Sequence, residues 1–293
     1  MTAVAVEQLW RRRLERRKAF ARLFVAACQA ATVLGLVFLA TLLVDVARDG
    51  AAYLRPELVT NFPSRFPHQA GYASALVGTL YVAGLMSVVA FPLGVAAAVY
   101  LEEYAPPGRL ARLLEVNIAN LAAIPSVLYG LLGLGLFVEG LRMGKSVLAG
   151  ALTLTLLVLP LTILSSREAI RAVPFSVREA AYALGATRWQ VVRHHVLPYA
   201  SSGILTGTIL SLSRAVGETA PLIMLGALQY VPFLPRGVWD YFTVLPIQIF
   251  NYVSLPNPEF HRLAAAGILV LLAVLLVLNG AAIGLRNRAR IRW

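Results

Sequence analysis

Six apolar runs divide this 293-residue chain, at 23–46, 72–101, 116–138, 146–164, 199–228 and 263–285. Each is near the roughly 20 residues a helix needs to cross a bilayer core. Inside that core every backbone N–H and C=O must be paired within the chain, so runs of this length cross as helices. The sequence therefore predicts an all-α, polytopic membrane bundle of six transmembrane helices. Composition agrees, because charged residues make up only 14% of the chain, against about 25% in a soluble domain. Pro92, Pro125 and Pro160 fall inside these runs, where neighbouring helices can satisfy the backbone groups they free.

The net charge of +12 has a topological reading. Eighteen Lys and Arg residues fall in the N-terminus, the second and fourth loops and the C-terminus, and seven fall in the three opposite loops. Positive residues collect on the cytoplasmic side, so both termini are predicted to be cytoplasmic and lipid is the surrounding partner. No basic face with interleaved aromatics lies outside the spans, which argues against a nucleic-acid partner. The organisation is then a basic cytoplasmic segment 1–22, a six-span domain 23–285 with a cytoplasmic loop at 165–198, and a basic cytoplasmic tail 286–293. The first run is too long for a signal-peptide core and reads as an uncleaved anchor. Val25-Ala26-Ala27-Cys28 imitates a lipoprotein cleavage box, but only Leu23 to Ala27 separates Arg22 from Cys28.

Several activities are disfavoured. A single cysteine allows no intrachain disulfide and no thiolate metal cluster. A GxxxxGK[ST] nucleotide loop is absent, as are HExxH and paired aspartates. The four histidines fall in loops by this reading. His194 and His195 are adjacent, about 100° apart on a helix, and lack carboxylate company, so no metal site is expected. A chain that only senses transport would need the cytoplasmic loop but no charges inside the membrane.

Those charges are the first of two anomalies. Arg214 lies about 15 residues into the fifth run, roughly 22 Å along it, and Glu218 follows four residues later on the same face. Backwards, that face carries Ser211, Gly207 and Gly203. Small residues four apart suit close helix packing, so the charges are predicted to face protein or water, where a guanidinium can meet an oxyanion. The predicted substrate path is Arg214, Glu218, Ser211 and Thr219, with Gly203 and Gly207 for packing.

The second anomaly is the polar loop. Ser176 with Glu179, and Thr187 with Gln190, both fit a capping box, and Gly185 between them suits a left-handed helix end. The prediction is helix, sharp turn, helix, with Pro198 where the second helix meets the fifth span. The turn presents Gly185, Ala186, Thr187, Arg188 and Trp189, residue types that allow close approach or anchor interfaces. Outside the membrane, Asp240 to Phe260 is too short to span. It reads either as an interfacial element with Trp239, Tyr241 and Tyr252 at headgroup depth or as a loop packed over the bundle.

Glu179-Ala180-Ala181, then Gly185, then Leu197-Pro198, is similar to the EAA loop of ABC-importer permeases, although His195 stands where an isoleucine is usual. The stretches Asn120 to Leu131, Arg214 to Pro221 and Phe242 to Asn251 resemble signatures of phosphate permeases, the last of the PstA type. The resemblance covers most of residues 72–290. It implies the type I, MetI-like permease fold and a non-catalytic subunit of a phosphate importer in a bacterial inner membrane. It also implies a PstC-like second permease subunit, a PstB-like ATPase dimer that carries the ATP and Mg, and a PstS-like periplasmic binding protein. Carried over by position, Glu179, Ala180, Ala181, Gly185 and their neighbours would couple to the ATPase. Permeases for sulfate or molybdate share the EAA loop and are the alternative.

Overall fold

The computed structural model describes residues 3–106, 108–227 and 230–289. The described residues form a series of helices: α1 (Ala3–Ala51), α2 (Pro56–Thr60), α3 (Ala73–Val99), α4 (Arg109–Ala122), α5 (Ser126–Gly133), α6 (Val147–Arg171), α7 (Phe175–Ala183), α8 (Arg188–Val191), α9 (Leu197–Val216), α10 (Ala220–Leu225), α11 (Leu245–Val253) and α12 (Pro258–Ala289). π-type turns extend α3 to Tyr104 and α5 to Gly140, and one at Val192–Val196 joins α8 to α9. Among the described residues five helices are long and apolar enough to cross a membrane, or six when the bent pair of α4 and α5 is counted as one span.

Helix α6 is the centre of the bundle and packs on α3, α4, α5 and α9. Its start is capped by Ser146, whose hydroxyl accepts from the Ala149 N–H. The seam with α9 is built from small residues, as the spacing predicts. A Cβ on Gly203 would stand 2.7 Å from that of Ala169, and one on Gly207 would overlap Ser165. At the other edge α1 leans on α12, with Gly50 against the backbone of Ala265 and Ala266.

The two sets of loops separated by charge counting meet at opposite ends of the bundle. At one end Glu102, Glu103 and Glu115 pair with Arg167, Arg171 and Arg178. At the other, Val147 and Leu148 donate to the carbonyls of Asp240 and Val238, and the Tyr252 ring meets Tyr72 edge-on and stacks on Phe260. This alternation is independent of the Lys and Arg tally and gives the same sidedness pattern.

Several boundaries differ from expectation. The basic segment before residue 23 is helical from Ala3 and continuous with the first span. The fourth span runs on to Arg171, well past residue 164. The third is not one helix. It breaks at 123–125 and turns by 101°, because Pro125 has no N–H to give and disfavours helical geometry at Ile124. The fifth ends at Val216, and Pro221 restarts α10 after a gap at 217–219. Gly226, in the left-handed region at φ 87°, closes α10. Residues 228 and 229 of that run, and 290–293 of the predicted tail, lie outside the described residues.

The segment 240–260 is a packed loop. Five of the nine α11 residues from Leu245 to Ile249 are buried, as is Tyr252, so Tyr252 is core and not a headgroup anchor. Trp239 and Tyr241 are exposed. His194 and His195 lie in the helical turn before α9 and His261 in the first turn of α12, leaving His68 as the loop histidine.

Candidate functional site

The loop 165–198 folds as a helical hairpin, but its first cap is not the predicted one. Helix α7 starts at Phe175 behind Pro174, and Ser176 lies inside the first turn and makes no cap. A proline before the helix fixes the chain direction two residues earlier than the serine would. The second capping box is present. The Thr187 hydroxyl accepts from the Gln190 N–H at 3.4 Å, and the Gln190 amide oxygen accepts from the Thr187 N–H at 2.8 Å. Between the helices Gly185 adopts φ 81°, a conformation that costs other residues about 1–2 kcal/mol.

Glu179, Ala180, Gly185, Thr187, Arg188 and Trp189 are exposed, while Ala181 is buried and Ala186 partly so. Ala181 is therefore core: it packs with Val173, Val191 and Ala98 under the hairpin. The hairpin's exposed surface is more apolar than the motif suggests, because Leu184 is 88% exposed and Tyr182, Phe175 and Trp189 are exposed as well.

What holds this hairpin was not visible in the sequence. Arg178 donates from Nε and Nη2 to Glu103 Oε1 at 3.0 and 2.7 Å, and to the carbonyls of Val173 and Ile170. The Arg188 guanidinium sits 5.0 Å over the Tyr104 ring, so its head is engaged within the chain. Arg167 and Arg171 both clasp Glu102 and Glu115, tying α4 to the ends of α3 and α6. The partners lie 52 to 75 residues apart. The doubled carboxylates at Glu102-Glu103 after a span were the available signal.

The second part of the site is an elbow. The sharp turn between α4 and α5 encloses a cavity of about 250 Å³, lined among others by Ala123, Pro125, Ser126, Tyr129, Ser211 and Arg214. The turn is braced by the Tyr129 hydroxyl, which donates to the Leu121 carbonyl at 2.8 Å. On the far side of α5, Gly130 lies against Pro221, leaving no room for a Cβ. Two stretches of sequence distant from each other, 120–131 and 214–221, are thus brought together.

Arg214 lies in the last turn of α9, and its side chain is 70% exposed. Its Nε is 3.6 Å from Glu218 Oε1, which is an ion pair but too long for a hydrogen bond. The α5 N-terminus is capped by no side chain, since Pro125 occupies the cap position. The first N–H groups of a helix carry partial positive charge and favour anions. The cavity therefore sets a guanidinium, three hydroxyl residues and a helix N-terminus around one space. Ser211 lines it with its hydroxyl bound to the Gly207 carbonyl. Glu218 and Thr219 do not line it. They lie in the gap after α9, because the helix that was to carry them ends two residues earlier. Among the described residues no group of three or more metal-ligating side chains occurs.

Comparison with known proteins places these features. Residues 90–290 match the family described as binding-protein-dependent transport system inner membrane component. The chain is 39% identical over 220 residues to the phosphate transport system permease protein PstA 1 of Mycobacterium tuberculosis, covering 74% of this chain and 70% of that one. It is 31% identical over 263 residues to the PstA protein of Haemophilus influenzae, covering 90% and 92%. Its fold is similar to a chain of a bacterial alginate ABC transporter crystallised with a pentasaccharide-bound periplasmic protein, with TM-score 0.68 and 17% identity over 91% of this chain and 94% of that one. A chain of the inward-facing MetNI methionine ABC transporter aligns with TM-score 0.58 and 20% identity, covering 76% and 95%. With its central α6, its braced helical hairpin and its matched length, this chain belongs to the family of binding-protein-dependent transport system inner membrane components, with the MetI-like fold of ABC-importer permeases.

Proposed function

We propose that this chain is the PstA-type permease subunit of an ATP-driven importer of inorganic phosphate in a bacterial inner membrane, with both termini cytoplasmic. The relatives' names motivate the substrate. The single observation that carries the reading is the elbow cavity, where Arg214 and the uncapped α5 N-terminus face the same space. Arg214 offers bidentate donors to a phosphate oxyanion, and Glu218 at 3.6 Å partly neutralises it, so that the anion is met without being trapped. A PstC-like subunit supplies the other half of the path, a PstS-like protein delivers the anion, and a PstB-like ATPase dimer binds ATP and Mg. The chain itself is non-catalytic. The turn around Gly185, with exposed Glu179, Leu184 and Trp189, is the surface that seats the ATPase.

The test is ATP-dependent uptake in proteoliposomes holding the whole assembly, with phosphate, arsenate and sulfate compared. Arg214→Gln is expected to lose phosphate uptake while assembly and ATP hydrolysis persist, and Glu218→Gln to slow release. Wild-type uptake of sulfate in preference to phosphate would overturn the substrate. Loss of assembly in Arg214→Gln would reduce the pair to a structural one.

A further inference from the structure

The clasp of arginines and glutamates at the hairpin end of the bundle has a buried half and an open half. In the buried half Arg167 Nε donates to Glu102 Oε1 at 2.7 Å, with side chains 6% and 14% exposed. Arg171 Nε donates to the other oxygen of Glu102 at 3.0 Å. In the open half Glu115 accepts from Arg167 Nη2 at 3.1 Å and from Arg171 Nη2 at 3.4 Å, and the Glu115 and Arg171 side chains are 44% and 46% exposed. Parting a buried pair strands a desolvated charge, whereas a half-exposed pair is readily replaced by water. Glu102 therefore ties α6 to the end of α3 for good, and Glu115 ties α4 to α6 by a bond that can be released.

Little else fixes α4. It packs on α6, yet none of its residues is buried, and Leu110, Leu113 and Leu114 are exposed. It joins α5 at 101° through the break at 123–125, where Pro125 stands at the α5 cap. A few residues at the end of an element can absorb the dihedral changes of a hinge in this way. The bond from the Tyr129 hydroxyl to the Leu121 carbonyl lies at this pivot and fixes its place. At the same end of α4, Leu121 and Ala122 line the elbow cavity with Arg214. We propose that α4 is a latched lever: Glu115 is the latch, and its release swings α4 about 123–125 and opens the elbow cavity. The release comes from the hairpin. Arg171 ends α6 just before Pro174 starts the hairpin, and Arg178 of the hairpin grips Glu103, the neighbour of Glu102. That the opening serves an anion rests on the function proposed above, but the lever and its latch rest on the clasp and the bend.

The experiment measures distances between spin labels in the purified assembly containing this full chain, with Cys28→Ser. The labels are placed at Leu113→Cys on α4 and Leu93→Cys on α3, both exposed. Helix α4 has 14 residues, so it is about 21 Å long, and a swing of about 20° moves its free end by about 7 Å. A shift of about 5 Å or more between the nucleotide-free and ATP-bound assembly is expected from that length. Glu115→Gln should populate the shifted distance without nucleotide. Glu168→Gln removes an exposed partner of Arg171 that is not on α4 and should change neither distance. A second arm keeps the test open if Glu115→Gln folds poorly. Glu115→Cys with Arg171→Cys, joined by a short reducible cross-linker, should abolish phosphate uptake, and reduction should restore it. Distances that stay constant with nucleotide, a Glu115→Gln protein that matches the wild type, or uptake that survives the cross-link each overturn the proposal. A shift seen in an assembly that moves sulfate and not phosphate would support the lever and overturn the substrate alone.

Discussion

Thr187 and Arg214 stand at the two ends of one continuous helix: Thr187 caps its start, and Arg214 lies in its last turn before Val216. The separation is about 40 Å at 1.5 Å per residue. The π-type turn at Val192–Val196 precedes Pro198 without breaking the rod. Any displacement of the exposed turn therefore reaches the elbow cavity through a single element. No loop intervenes to absorb it.

Removing the cap at the near end should loosen this rod. Thr187→Ala is expected to cost about 1 kcal/mol, seen as faster amide exchange at 188–191 in the assembled complex. Gln190→Leu, which keeps the hydroxyl, should show a smaller effect.

Gly185 is a second sensitive point. A valine there must adopt φ 81° against its own Cβ, which costs about 1–2 kcal/mol. Gly185→Val should lower the melting temperature of the hairpin and weaken coupling of ATP hydrolysis to uptake. Gly185→Asn should do less, because asparagine tolerates this region. Equal effects of the two would point to steric contact with the ATPase instead.

Arg178 and Glu103 are both nearly buried, with 13% and 8% of their side chains exposed. Breaking such a pair by removing one partner costs about 3–5 kcal/mol. Arg178→Ala and Glu103→Ala should each destabilise strongly, and the double variant by less than their sum, measured as thermal denaturation of the purified assembly. Arg178→Lys should not rescue, since lysine cannot reach Glu103 and the carbonyls of Val173 and Ile170 together.

The α6–α9 seam makes a steric prediction. Gly207→Ala places a methyl onto Ser165, and overpacking of this kind costs about 1–3 kcal/mol. Adding Ser165→Gly should restore much of the loss. An additive double variant would mean that the helices separate easily and the seam is not tight.

These outcomes also mark what the sequence could and could not carry. Span number, the Gly203–Gly207 seam, the Thr187 cap and the left-handed Gly185 were all legible, because each depends on residues within one helical turn or on the length of one run. The elbow was not. Pro125 was seen as a tolerated proline inside a span, and only its packing opposite Ser211 and Arg214 decides that the chain turns there. Glu218 and Thr219 were assigned to a helix that Pro221 ends early. The Arg178–Glu103 tie depends on a contact between segments far apart in sequence, which no local spacing encodes.

Helix α1 finally has a consequence for how the protein is made. None of its apolar window is buried, and its packing partner α12 begins only at Pro258. At about 5–20 residues per second, roughly 10–40 s of synthesis separate the two helices. For that interval the first helix must persist in the bilayer alone, shielded by lipid on every side. Its all-round greasiness is thus suited to a solitary wait during biogenesis, and a polar residue on its α12-facing side would be exposed to lipid before its partner arrives.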